Sequence, residues 1–133
     1  MYKKFLIIAA LIGALSVTLG AFTAHELKEV LTEQSLSIFE TGVRYQFYHV
    51  FALFAVGILY KEFANKWIRR SGILFCLGIF FFSGSLYFLA FFPDLITPGF
   101  KWFYLITPLG GLCFILGWIF LAIGLSKKDS HIR

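Results

Sequence analysis

Residues 5–22 read FLIIAALIGALSVTLGAF, and residues 72–92 read GILFCLGIFFFSGSLYFLAFF. Neither stretch contains a charged residue, and each approaches the ~20 apolar residues that a helix needs to cross the hydrocarbon core of a bilayer. Two further apolar stretches, at about 40–60 and 102–125, complete a set of four. The pattern predicts four transmembrane helices.

The composition of the whole chain agrees with a membrane location. Of its 133 residues, 59% are hydrophobic and only 14% are charged, whereas about a quarter of the residues in a soluble domain are charged. The net charge of +5 does not indicate nucleic-acid binding, because the basic residues cluster at the ends of apolar stretches rather than along one surface stripe. The expected fold is therefore all-α, an integral membrane four-helix bundle that forms a single transmembrane domain over residues 1–133.

The basic residues also predict the orientation of the chain. Lys61, Lys66, Arg69 and Arg70 lie between the second and third spans, and both ends of the chain are rich in Lys and Arg. Because short basic loops stay in the cytoplasm, both termini are predicted to be cytoplasmic. Residues 5–22 are longer than a usual signal-peptide core, so we expect a retained first span.

The connection between the first two spans is predicted to be an interfacial amphipathic helix over about 24–36. Its apolar residues fall roughly on one helical face and its charged residues on the other. Thr23 with Glu26, and Ser37 with Glu40, match the capping-box pattern. They predict helix starts near residues 24 and 38.

The second span is unusually polar in the half that follows this connection. Arg44 and His49 lie within the predicted hydrocarbon region, where an unpaired cation is costly. Since Glu40 and Arg44 are four residues apart, we expect them to pair and to point into the protein, with Tyr45 and His49 on an adjoining inward face. The candidate site, which we call the polar ladder, comprises His25, Glu40, Arg44, Tyr45, Tyr48 and His49.

Two interpretations of the polar ladder remain open. In the functional one, these residues line a site for a lipid, a quinone or a similar amphiphile, or form a proton path or contact a partner subunit. In the structural one, Glu40 pairs with Arg44 and the histidines donate to carbonyl groups, which merely holds the helices together.

Catalysis and metal binding are not indicated. No serine, cysteine or aspartate pattern resembles a nucleophile with its base. The sequence contains no His/Cys cluster, and His25 and His49 lie on separate helices, so neither a metal site nor a haem is expected. We expect no cofactor.

Small residues recur along the first and fourth spans. Ala9, Gly13, Ser16 and Gly20 follow one another at helical spacing, as do Gly110, Gly117 and Gly124. Such stripes let helix backbones approach closely, either within one chain or between chains. The leading expectation is an accessory or structural protein that packs with itself or with a membrane partner, and the alternative is an amphiphile binder.

Two motifs resemble a known family. Gly20-Ala21-Phe22-Thr23-Ala24-His25 and Phe39-Glu40-Thr41-Gly42-Val43-Arg44-Tyr45-Gln46-Phe47-Tyr48-His49 are similar to the paired signature of the YgdD/YwdK-like small membrane proteins. This is the domain of unknown function family 423, to which mitochondrial transmembrane protein 256 is similar. Thr23 stands where the family pattern has glycine. The resemblance implies a bacterial inner-membrane protein without an established catalytic activity.

Overall fold

The structure, a computed structural model, describes residues 1–95 and 98–127. Its main helices are α1 (Lys3–Ala24), α2 (Glu26–Val30), α3 (Glu33–Leu59), α4 (Lys66–Gly78), α5 (Gly84–Phe91) and α6 (Ile106–Ser126). A π-helical segment, Ile79–Ser83, joins α4 to α5, and 3-10 turns cover Pro93–Leu95 and Pro98–Leu105. In the described residues four helices, Lys3–Ala24, Glu33–Leu59, Lys66–Phe91 and Trp102–Ser126, are long and apolar enough to cross a membrane. The predicted all-helical fold with four candidate membrane spans is confirmed.

Two antiparallel pairs of spans build the bundle. Helix α1 lies along α3, where Leu6 packs on Gly57, Val50 on Gly13 and Val43 on Gly20. Helix α6 lies along α4 and the π-helical segment, with Ile68 against Gly124, Phe75 against Gly117 and Phe82 against Gly110. Both predicted stripes of small residues therefore serve packing within the chain.

The two pairs meet around α3. Ser83 Oγ donates to the Gly42 carbonyl over 2.7 Å, and the ring of Phe5 packs on Gly72. The core between the pairs is apolar and includes Leu53, Val56 and Phe75, which are fully buried. We call the end of the bundle that carries residues 60–65 the basic end, and the opposite end, with residues 25–32, the first-connection end.

The predicted single helix over 24–36 is wrong. Helix α2 has only five residues, Leu31 is extended, and α3 begins at Glu33 with Thr32 as its cap, whose Oγ1 accepts from Ser35 N over 3.2 Å. Neither predicted capping box forms, because Thr23 Oγ1 donates to the Gly20 carbonyl and Ser37 lies inside α3. The four-residue capping pattern is too short to fix a helix start by itself.

The helices of the second and third spans begin several residues before the predicted starts of these spans. The second and third spans extend beyond the apolar stretches, to Glu33 and to Lys66, because a helix continues until a cap ends it, whatever the polarity of its last turn. Pro108 is the third residue of α6. Proline is tolerated in a first turn, where its missing N–H has no helical partner, so it does not interrupt the span.

Candidate functional site

His49 is buried in the centre of the bundle and both of its ring nitrogens are hydrogen-bonded. Nδ1 lies 2.7 Å from the Tyr45 carbonyl oxygen, and Trp118 Nε1 donates to His49 Nε2 over 3.2 Å. Since a carbonyl only accepts and an indole N–H only donates, the proton of the neutral imidazole is on Nδ1. The ring also stacks on Phe114 at 3.5 Å between centroids. The inward position predicted for His49 is confirmed, and its bond with Trp118 joins α3 to α6.

Gln46, which the sequence analysis did not single out, is the centre of a polar network. Its side chain is only 2% exposed. Nε2 donates to Ser16 Oγ over 2.8 Å, and Oε1 accepts from the Tyr87 hydroxyl over 2.7 Å. One amide thereby connects the first, second and third spans.

Two further hydrogen bonds extend this connection toward the first-connection end. The π-helical segment ends at Ser83, whose hydroxyl reaches the Gly42 carbonyl on α3. Ser85 Oγ and Thr107 Oγ1 lie 2.6 Å apart, which links the third span to the fourth. In an apolar surrounding such bonds satisfy groups that would otherwise lack water, and they define how the helices are rotated.

The predicted inward ion pair between Glu40 and Arg44 is wrong. Both side chains are exposed, and no carboxylate lies within 4.0 Å of a basic nitrogen in the described part of the chain. Arg44 is level with Leu19 of α1, given the Val43–Gly20 contact. This level is three residues, or about 4.5 Å, inside the end of the apolar stretch at Phe22. A guanidinium on a long side chain can reach the head groups from that depth, so pairing is not required.

The tyrosines of the polar ladder also point outward, so the inward position predicted for Tyr45 is wrong. Tyr45 is 38% exposed and Tyr48 is 54% exposed. Neither hydroxyl has a hydrogen-bond partner among the residues that the structure describes. Both tyrosines therefore lie on the outer surface of a helix that is a candidate membrane span.

His25 is separate from the other residues of the polar ladder. It follows α1 directly, is exposed, and lines a surface depression formed by its own connection, with Ala24, Glu26, Lys28 and Glu29. The ladder therefore divides into a buried structural residue, His49, an outward group comprising Glu40, Arg44, Tyr45 and Tyr48, and an isolated His25.

The outward tyrosines border a crevice of about 620 Å³ between α3 and α6. We call it the α3–α6 groove. His49 and Phe114 form its floor, because both are buried. The residues lining it are Tyr45, Tyr48, His49, Phe82, Gly111, Phe114, Ile115 and Trp118.

The α3–α6 groove exists because aromatic rings separate the two helices. Tyr45 and Phe114 are 6.4 Å apart between ring centroids, and Phe82 lies between them at 4.8 Å from Tyr45 and 5.6 Å from Phe114. Gly111 has no side chain in the wall, and a Cβ atom added there would meet the Phe82 ring at 3.8 Å, an ordinary van der Waals contact. The groove combines aromatic walls with two phenolic hydroxyls that no other described residue binds.

A second crevice, of about 490 Å³, lies beside the third span. It is lined mainly by apolar residues such as Leu15, Phe80 and Phe88. Gln46 and Tyr87 also border it, but their polar atoms are bonded to each other. This crevice therefore offers fewer free polar groups than the α3–α6 groove.

Metal-binding geometry is not found within residues 1–95 and 98–127, where no group of three His, Cys, Asp or Glu side chains converges. Cys76 and Cys113 are free thiols.

An all-helical chain with four candidate spans and polar bonds between them defines a small polytopic membrane protein. Comparison with known proteins agrees, since residues 19–111 match the family described as "Protein of unknown function (DUF423)". The chain belongs to this DUF423 family, whose members are also called UPF0382 membrane proteins.

Relatives in several bacteria match nearly the whole chain. A UPF0382 membrane protein of Haemophilus influenzae is 42% identical over 130 residues, which cover 98% of this chain and 99% of the relative. YwdK of Bacillus subtilis is 37% identical over 94% of this chain and 98% of its own. The inner membrane protein YgdD of Escherichia coli is 33% identical over 93% of this chain and 91% of the YgdD chain. No solved structure matches the chain.

Proposed function

We propose that the protein binds a membrane amphiphile in the α3–α6 groove and catalyses no reaction. The observation that carries this proposal is the pair of tyrosine hydroxyls, Tyr45 and Tyr48, that have no hydrogen-bond partner within residues 1–95 and 98–127 and lie beside a groove of about 620 Å³. Ligand sites commonly have volumes of about 300–1,000 Å³, apolar and aromatic walls, and a few placed polar groups.

The chemistry of the groove indicates the kind of ligand. A hydroxyl that faces hydrocarbon without a partner is unfavourable, and a ligand oxygen can accept its proton. Flat rings stack well on aromatic walls such as Phe114 and Trp118. The ligand class is therefore an amphiphile whose head accepts hydrogen bonds, either a quinone-like ring or a lipid carbonyl, with an apolar tail that extends into the bilayer.

Blocking the groove should remove the ligand. We expect Gly111→Leu to lower the amount of co-purified amphiphile at least about tenfold, because the added side chain enters the groove, and each 1.4 kcal/mol of lost binding is a factor of ten. Native mass spectrometry of the protein in mild detergent measures the bound mass. Gly84→Leu is the matched control, since Gly84 has open space around it and does not line the groove. Equal occupancy in both variants, or none in the unmodified protein, would contradict the proposal.

A second proposal is an accessory role in which the chain packs with a membrane partner or with itself. The observation that favours it is the exposed stripe of Glu40, Arg44 and Tyr48 along α3, because charged groups at membrane depth commonly mark functional contacts. The stripes of small residues give it no support, since they pack within the chain. The mass of the detergent-solubilised particle distinguishes a complex from a lone chain.

We further propose that the protein lies in the bacterial cytoplasmic membrane with both termini cytoplasmic and α2 at the outer head groups. The support is the excess of Lys and Arg at the basic end and the acidic residues of the first connection. Reporter fusions after Val30 and after Lys127 should lie on opposite sides of the membrane, with the fusion after Lys127 in the cytoplasm. If both fusions lie on the same side of the membrane, the proposed orientation is wrong.

A further inference from the structure

A cluster of cations surrounds one tryptophan at the basic end. Lys127 Nζ is 5.1 Å from the Trp67 ring centroid, Lys66 Nζ is 5.7 Å from it, and Arg70 Cζ is 5.8 Å from it. The lysine that follows α6 thus meets two basic residues from the start of α4. No acidic side chain lies within 4.0 Å of these cations in the described residues, although Glu62 lies in the preceding loop.

The fold holds Trp67 rigidly in this position. Asn65 Oδ1 caps α4 by accepting from Trp67 N and Ile68 N, and Asn65 Nδ2 donates to the Gly124 carbonyl over 3.0 Å. The indole packs edge-on against Phe120 at 5.0 Å. Its Nε1 is buried without a hydrogen-bond acceptor in the described part of the chain. The Asn65–Gly124 hydrogen bond and the Trp67–Phe120 contact therefore hold the start of α4 against the end of α6, next to the three cations.

Helical rise places the cluster at about the depth of the lipid phosphates, if the ends of the apolar stretches mark the edge of the hydrocarbon. The ring of Phe5, which begins the first apolar stretch, packs on Gly72, and Trp67 precedes Gly72 by five residues, or about 7.5 Å along the helix. The head-group layer on each side of the hydrocarbon is about 5–7.5 Å thick. Tryptophan is enriched in this layer.

We propose that Lys66, Arg70 and Lys127, arranged around Trp67, form a binding site for the head group of an anionic phospholipid. Three like charges around one ring repel one another, and a phosphate would neutralise them while its oxygens accept their hydrogen bonds. Basic residues at a membrane surface attract anionic lipids. The occupant is a lipid rather than a free phosphate, because the cations lie where the phosphates of the bilayer are concentrated.

The test compares two triple variants of the full chain. One is Lys66→Gln/Arg70→Gln/Lys127→Gln, and the other is Lys3→Gln/Lys61→Gln/Arg69→Gln, which removes the same charge from exposed positions that no cation–ring contact links to Trp67. Native mass spectrometry in mixed phosphatidylglycerol and phosphatidylcholine measures which lipid is retained. We expect the unmodified protein and the second variant to prefer phosphatidylglycerol, and the first variant to lose this preference about tenfold or more.

Four outcomes would overturn the proposal. Equal losses in the two variants would show a diffuse charge effect, and no preference in the unmodified protein would remove the site. Displacement of the lipid by millimolar inorganic phosphate would assign the site to the free ion. If the first triple variant does not fold, Lys127→Gln alone, at a position beyond the last helix, should reduce the preference by about fivefold, and an unchanged preference would refute the site.

Discussion

Replacing Gly110 with alanine should lower the free energy of unfolding by about 3 kcal/mol, near the upper end of the cost of overpacking. A Cβ atom at this position would overlap the backbone nitrogen of Phe82 and lie 2.8 Å from its Cα. Because backbone cannot rotate away as a side chain can, the third and fourth spans would have to separate. Unfolding of the purified protein by sodium dodecyl sulfate measures the loss.

The neighbouring glycine provides the control. At Gly111 a Cβ would be 3.8 Å from the Phe82 ring, which is ordinary van der Waals contact, so Gly111→Ala should change the unfolding free energy by less than about 0.5 kcal/mol. A similar loss in both variants would show that the fourth span is rotated differently against the third.

Replacing Gln46 with leucine should cost about 2 kcal/mol. The change preserves most of the volume but removes two hydrogen bonds, leaving the Tyr87 hydroxyl without its acceptor. Single interhelical bonds in membranes contribute about 0.6–1.7 kcal/mol, and buried groups left unpaired add to the loss. The same unfolding assay applies. Gln34→Leu, at an exposed position of the same helix, should have little effect.

A double-mutant cycle separates the Gln46–Tyr87 bond from other consequences of the substitution. Tyr87→Phe combined with Gln46→Leu should cost less than the sum of the single changes, because both remove the same bond, with a coupling energy of about 1 kcal/mol. Strictly additive losses would show that the two side chains do not interact.

The sequence predicts the four spans because long apolar stretches have few alternatives to a membrane helix. It predicts the helix starts less well, since Thr32, rather than Thr23 or Ser37, provides the cap that forms. A cap depends on the local backbone path, which a four-residue pattern does not determine.

At the candidate site, the rotation of α3 differs from the predicted one. Arg44 is predicted to point inward because an unpaired charge is costly at that depth, whereas its exposed side chain is long enough to extend toward the head groups. Six of the ten buried residues of α3 follow a spacing of alternately three and four residues, as is typical of a helix face packed on neighbouring helices. They are Phe39, Gly42, Gln46, His49, Leu53 and Val56. Because this set includes a glycine, a glutamine and a histidine, the spacing of apolar residues alone does not mark the buried face.

The α3–α6 groove could not be predicted from such spacing. Its width depends on how Phe82, Phe114 and Trp118 stack around His49, and these contacts join residues far apart in the sequence. The π-helical segment that ends at Ser83 also shifts the register of the third span and carries Phe82 to the groove wall.

The most direct test of amphiphile binding is photo-crosslinking from inside the α3–α6 groove in native membranes. A photoreactive amino acid replaces Ile115, which is exposed and lines the groove, or Ile119, which is exposed one turn further along α6 outside it. Mass spectrometry then identifies what each position captures. We expect one defined amphiphile at position 115, enriched over bulk phospholipid, and only bulk phospholipid at position 119. The same mixture of bulk phospholipids at both positions would contradict amphiphile binding.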